Sequence, residues 1–205
     1  EQLPPALSRR QQAGSEYNNK RHDLTASPKS DHPESAGTES VPPSFVHLRL
    51  HTEYSLVDGA VRVKPLMAKL AKQRMPAVAL TDQGNLFAMV KFYKAALGAG
   101  IKPVIGVDAW VNDADSQAQP YRMLLLCQNN DGYLNLSQLI SKSYLEGQSR
   151  GIPVMQAGWI HQHSDGLIAL SGGRDGDVGR ALVSGNADEA EQLLKKWQAT
   201  FGDRY

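Results

Sequence analysis

His47, Arg49 and His51 alternate with Leu48 and Leu50 in the stretch FVHLRLHTEYSLVDG, residues 45–59. In an extended chain successive side chains point to opposite faces, so those three share one side. Two imidazoles facing one way are the start of a site for a borderline divalent cation, and Asp58 follows them. Two more polar clusters interrupt apolar runs: Asp82 and Gln83 in LTDQGNL, and Asp108 in IGVDAWV. If these segments are neighbours, carboxylates and imidazole converge in the manner of a hard or borderline metal site. Spacing alone leaves a plainer reading open, in which Asp82 begins a turn with Gly84 and Asp108 is a hydrogen-bonded strand residue. Arg49 stands against a metal, because guanidinium stays protonated and offers donors only.

The elements that must position these groups are short apolar runs alternating with amphipathic helical patterns from Phe45 onward. FVHLRLH, PAVALTD, KPVIGVDAWV, YRMLLLCQ and GLIALSGG have the length and composition of strands. KPLMAKLAKQR reads as a helix with Pro65 in its first turn and Leu66, Met67, Leu70 and Ala71 on one side. NLFAMVKFYKAALGAG is a helix ending at glycine, and DGYLNLSQLISKSYLEG is one with Tyr133, Leu136, Ile140 and Tyr144 along a stripe. In the last helix Asn186 and Glu189 have the spacing of a capping box, with Lys195 and Lys196 toward the end. Repeated strand–helix units imply a parallel sheet, open or closed into a barrel, with chemistry at the carboxyl ends of the strands.

Residues 1–44 differ from the rest. Nine of the 44 are apolar and they hold six of the eleven prolines, too little to offset the entropy of ordering them. They are expected to be a disordered tail, with His22 and His32 as bystanders. The remaining residues, 45–205, form one domain. A net charge of +1 announces no basic field, and a single cysteine, Cys127, excludes an internal disulfide framework. Its place in YRMLLLCQ makes it a buried strand residue. No apolar run approaches the roughly 20 residues that span a bilayer, and no secretory signal opens the chain. With no initiator methionine and an end at FGDRY, the sequence is expected to be a fragment.

FVHLRLHTEYSLVDG, ALTDQGNLFAMVKFYKAALGAGIKPVIGVDAWV and GLIALSGGRDGDVGRAL resemble the start of the bacterial DNA polymerase III alpha subunits, a region that is a PHP domain. The resemblance covers about residues 45–205. It implies an α/β fold, a distorted (β/α)7 barrel present only in part. Such a part exposes strand edges and helix faces that the missing strands would cover. Metal-competent members carry histidine-x-histidine on the first strand, then an acid or histidine. TDHG, a glutamate in the third strand, and a cysteine or histidine in the LSG segment follow. Here the corresponding positions are Arg49 and His51, Asp58, Asp82 and Gln83, Asp108, and Gly173. His51, Asp58, Asp82 and Asp108 keep ligand chemistry; Arg49, Gln83 and Gly173 depart from the pattern.

The resemblance thus implies the remnant of a metal site, with Arg49 replacing the ion opposite Asp58, Asp82 or Asp108, and no metal or catalytic residue in this segment. For the whole subunit it implies Mg2+-dependent DNA synthesis from deoxynucleoside triphosphates, carried by carboxylates in a later domain. The implied partners are DNA, the proofreading exonuclease subunit and the other holoenzyme subunits. The implied location is cytoplasmic, without a membrane. A metal-dependent PHP phosphoesterase or 3′–5′ exonuclease is the alternative, opposed by Arg49 and Gln83. An error-prone paralogue is opposed by FYKAALGAGIKP. His47 is assigned to packing. His161 and His163, in AGWIHQHSDGL, match no family motif and read as a solvated loop or helix end. Gly172, Gly173 and Gly176 lack the lysine-serine/threonine that would make a phosphate loop.

Overall fold

The computed structural model of the chain describes residues 45–56, 58–113 and 119–205. The expected tail, residues 1–44, lies outside the described residues, and with it His22 and His32. The first helix, α1 (Val63–Lys72), buries Val63, Met67 and Leu70. Ala71, expected on that side, is exposed; at 3.6 residues per turn, positions 63, 67 and 70 line up and 71 falls past the edge. Then come β1 (Ala77–Leu80), α2 (Met89–Gly98) and β2 (Lys102–Asn112). β1 and β2 pair in parallel, Ala77 opposite Lys102 through Leu80 opposite Ile105.

The following connection decides the sheet. Only residues 113–120 separate β2 from β3 (Tyr121–Cys127). A parallel crossover takes a dozen residues or more, so the chain turns back and β3 runs antiparallel to β2. After α3 (Asn130–Leu145) come β4 (Gln148–Ser149), β5 (Ile152–Gln156), α4 (Ala157–Gln162) and β6 (Leu167–Leu170). β5 is parallel to the end of β2, and β6 antiparallel to β3. The parallel sheet expected from the strand–helix alternation is therefore a mixed one, with strand order β4-β5-β2-β3-β6 and β1 also on β2. β1 takes the first part of one edge of β2 and β5 the last part. Two helices, α5 (Asp177–Val183) and α6 (Ala187–Phe201), complete the described chain.

FVHLRLH, expected as a strand, runs beside β1 without forming a ladder. His47 makes an isolated parallel bridge to Val78. Ala79 and Thr81 donate their N–H groups to the carbonyls of His47 and Leu50 at 2.8 and 3.0 Å. The Leu50 N–H, however, goes to the Thr81 hydroxyl at 2.8 Å. That side chain intercepts the bond a strand partner would have made.

On α3 the buried face is Gly132, Leu136, Leu139 and Ser143, with Tyr133 and Tyr144 at its exposed margin. The expected aromatic stripe is displaced because small residues mark the closest approach: a Cβ on Gly132 would stand 1.8 Å from the Gly166 carbonyl oxygen. On α6 the expected capping box does not form. Asn186 donates from its amide to the Glu189 carboxylate at 3.0 Å, side chain to side chain. Lys195 and Lys196 stop short of the last turn.

Two apolar cores result. One lies under α1 and α2, with Val78, Leu80, Phe92 and Ile101; the other holds the later part of β2, β3, α3, Trp197 and Phe201. Only β2 contributes to both. Cys127 ends β3 half-buried, and burial pushes its thiol up to about 11.

Gly132→Ala should lower the thermal midpoint, since overpacking against a backbone carbonyl costs on the order of 1–3 kcal/mol. Gly98→Ala, in α2 with nothing within 4 Å of its added methyl, should leave the midpoint unchanged or raised. Equal midpoints for the two variants would refute this account of the α3 contact.

Candidate functional site

Parallel pairing of the 45–52 segment with β1, and of β1 with β2, brings the three polar clusters together at the carboxyl end of β1. The chain after β1 continues along β2, with Gln83 bridged to Asp108 and the Gly84 N–H on the Asp108 carbonyl at 3.1 Å. Gly84 has φ +66°, the left-handed turn expected after Asp82. Asp108 is wholly buried, so its charge needs partners.

Three cationic side chains answer it. Arg49 brings both Nε and Nη2 to 2.8 Å from Asp108 Oδ2. His51 Nε2 lies 2.9 Å from the same oxygen, and its Nδ1 lies 2.9 Å from Asp58 Oδ2. A neutral imidazole has one donor and one acceptor, so donating to two carboxylates requires the imidazolium. The hydrogen bond to Asp108 raises the His51 pKa above 6.5, with the charges of Asp108 and Asp58 adding to it and burial opposing.

The third cation, Arg122, escapes a reading by spacing. It projects from β3, only 7% exposed, with Nε 3.3 Å from Asp108 Oδ1 and Nη2 4.0 Å from Asp58. The Nε contact is an ion pair without hydrogen-bond alignment, leaving Oδ1 without a formal donor. The guanidinium stacks 4.3 Å above the Trp110 ring. The Gln83 amide oxygen, in the orientation that satisfies its neighbours, accepts from Arg122 Nη1 at 2.9 Å and Trp110 Nε1 at 2.6 Å. One signal pointed here: a lone arginine amid the apolar run YRMLLLC, which needs a buried partner.

Asp82 is equally buried but otherwise engaged. Its carboxylate accepts from the Thr52 N–H at 2.6 Å, the Thr52 hydroxyl at 2.8 Å and the Ser55 hydroxyl at 2.9 Å. It holds the short 3-10 turn Glu53–Ser55 against β1. The expectation that Arg49 faces Asp58, Asp82 or Asp108 resolves to Asp108. Gly173 begins the 3-10 turn Gly173–Asp175 after β6, at φ +59°.

His47 packs edge-on against Phe45. His161 and His163 lie at the C-terminal end of α4, the expected helix end, and both are half-buried: His161 stacks 4.9 Å from Trp197 and bonds the Thr200 hydroxyl, and His163 Nδ1 meets the Trp159 carbonyl at 3.0 Å.

This donor set does not fit a divalent ion. Metal ligands present lone pairs, whereas Arg49 and Arg122 point protons at the carboxylate a metal would use. With His51 protonated, three cations surround the Asp108 carboxylate, and each repels an incoming divalent ion. Among the described residues no group of three or more His, Cys, Asp or Glu side chains is placed to hold a metal ion.

Comparison with known proteins bears on this arrangement. Residues 47–205 match the PHP domain family. The chain is 50% identical over 165 residues to the DNA polymerase III subunit alpha of Pseudomonas fluorescens. It is 49% identical over 162 residues to that of Pseudomonas aeruginosa, and 44% over 163 residues to that of Escherichia coli strain K12. These alignments cover 79–80% of this chain and 14% of each relative, so the chain spans about one seventh of their length.

Removing either arginine should destabilise the fold unequally. Arg122→Met takes away the cation beside the buried Asp108 Oδ1 and should cost about 3 kcal/mol. Arg49→Ala removes a side chain 45% exposed and should cost about 1 kcal/mol or less. Urea unfolding tests the order, and an Arg49 variant less stable than the Arg122 variant would reverse it. His51 adds a pH dependence. Its folded pKa is raised, so its stabilisation is whole below pH 6.5, the ordinary imidazole value, and is lost as pH rises through the folded value. Stability should fall as pH climbs above 6.5, and His51→Gln should flatten that fall. The same slope in both proteins would contradict an imidazolium at this position.

Proposed function

This chain belongs to the PHP domain family, and on that premise we propose that it is the N-terminal part of a bacterial DNA polymerase III alpha subunit. Its domain is a structural and docking unit there, without metal chemistry of its own. Three relatives so named, 44–50% identical, support the larger assignment. In that setting the complete subunit synthesises DNA from deoxynucleoside triphosphates with Mg2+, through carboxylates outside these residues. Its partners are DNA, the proofreading exonuclease subunit and the other holoenzyme subunits, in the cytoplasm. Among the described residues no helix is long and apolar enough to cross a membrane.

The observation that carries the structural role is the pair of guanidinium groups on Asp108. A hydrolytic PHP centre needs metal ions with an open position for a water whose pKa they lower. Here the positive charge is supplied by side chains that cannot polarise a bound water or exchange ligands. Asp82, a ligand position by resemblance, spends its oxygens on Thr52 and Ser55. The domain's contribution is therefore a rigid scaffold.

The test uses the complete subunit, purified free of its exonuclease partner, with labelled DNA and zinc or manganese. No metal-dependent degradation is expected from the parent. Restoring histidine at positions 49 and 83 should also fail while Arg122 remains. Degradation by the parent that disappears on Asp58→Asn, at a carboxylate 39% exposed, would instead establish the phosphoesterase or exonuclease alternative.

A further inference from the structure

The tip of the β4–β5 hairpin carries an arginine in a costly place. Ser149 pairs with Ile152, so Arg150 and Gly151 form a two-residue turn, and both have positive φ, +53° and +80°. Such turns take asparagine, aspartate or glycine at the first position, because a Cβ is strained in the left-handed region. Strain of this kind marks a side chain retained for a purpose other than folding.

Arg150 overhangs a cleft of about 540 Å³ between this hairpin and the start of β3. Trp110, Pro120 and Ile152 form apolar walls, and Ser149 and Arg180 add donors. None of the described lining residues is acidic. Arg180 is fixed by giving one N–H to each of the Gln119 and Pro120 carbonyls, at 3.0 and 2.8 Å. Three of its five donors remain. Among the described residues neither Arg150 nor Arg180 has a carboxylate within salt-bridge reach. On its far side Arg180 shares a second pocket with Asp113, Asp177 and Glu189, which bond the Lys196 ammonium at 2.9 Å, the Trp197 indole at 2.6 Å and the Asn186 amide at 3.0 Å.

Two guanidinium groups with no ion-pair partner among the described residues, one fixed by backbone carbonyls and one held out at a strained turn, beside an aromatic and apolar wall, match how single-stranded nucleic acid is held. Charge meets the backbone phosphates, and flat apolar surface meets the sugar and base. We propose that this cleft binds a phosphate group of single-stranded DNA. The proposal rests on the reading of the chain as part of a polymerase subunit. It places a strand contact on the scaffold domain, apart from the synthetic centre.

The experiment uses the complete subunit and an oligonucleotide carrying 4-thiothymidine, with photo-crosslinks mapped by mass spectrometry and primer extension measured on the same preparation. Crosslinks are expected on the peptides containing Trp110 and residues 149–154. Arg150→Asn puts a preferred residue in the turn while removing the cation. That variant should be at least as stable as the parent yet lose these crosslinks. Its log–log salt slope for single-strand binding should fall by about 0.7, the share of one phosphate. A merely structural Arg150 would leave both readouts unmoved. Extension-competent subunit with no crosslink in this cleft overturns the proposal, while absence of extension overturns the polymerase reading instead. Protection of the cleft by inorganic phosphate without a strand crosslink, or tighter binding of an acidic peptide than of DNA, would assign it to another ligand and overturn the DNA assignment.

Discussion

A carboxylate with no access to water organises this molecule. Asp108 sits in the middle of β2, where desolvation of its charge would cost several kcal/mol if nothing compensated it. Its compensation arrives from both sides: Arg49 and His51 from the extended segment before α1, and Arg122 from β3. Two of these cations are held in turn, and so is the turn beside them. Arg122 lies on Trp110 and against Gln83, His51 is held by Asp58, and Asp82 pins the turn that follows His51. Registers, turn and strand contacts can be traced back to keeping one charge satisfied.

A guanidinium and a metal ion are not equivalent as the cation among such groups. Both supply positive charge among carboxylates and imidazole, and both draw separate segments together. A metal ion, however, adds exchangeable positions and a polarised water, whereas arginine adds directional protons and a covalent tether. The tether gives permanence at the expense of reactivity. Gln83 illustrates the second case: its amide oxygen accepts from Arg122 and Trp110, so it serves a tethered cation.

Much of this could be read before any coordinates. Alternation in FVHLRLH put Arg49 and His51 on one side, and the neighbouring segments brought Asp58 and Asp108 to them. Helix positions followed from apolar spacing. What escaped was set by distant contacts. Nothing local in KPVIGVDAWV or YRMLLLCQ says that they run antiparallel; the shortness of residues 113–120 does. β5 was missed because IPVMQ is brief and begins beside a proline. Arg122 was passed over because an apolar run hides one charged residue, although that residue was the informative one. The tyrosines of α3 looked like core, but Gly132, having no side chain, fixed where the helix touches the sheet.

The two apolar cores meet only along β2, one packed on its beginning and the other on its later part. The Asp108 cluster spans that seam, with two cations rooted on one side and a third on the other. Loss of one of these cations would loosen the coupling between the cores without touching the apolar packing of either. The domain's behaviour as one body is in this sense an electrostatic property, and one that dissolved salt screens little because the central charges are buried.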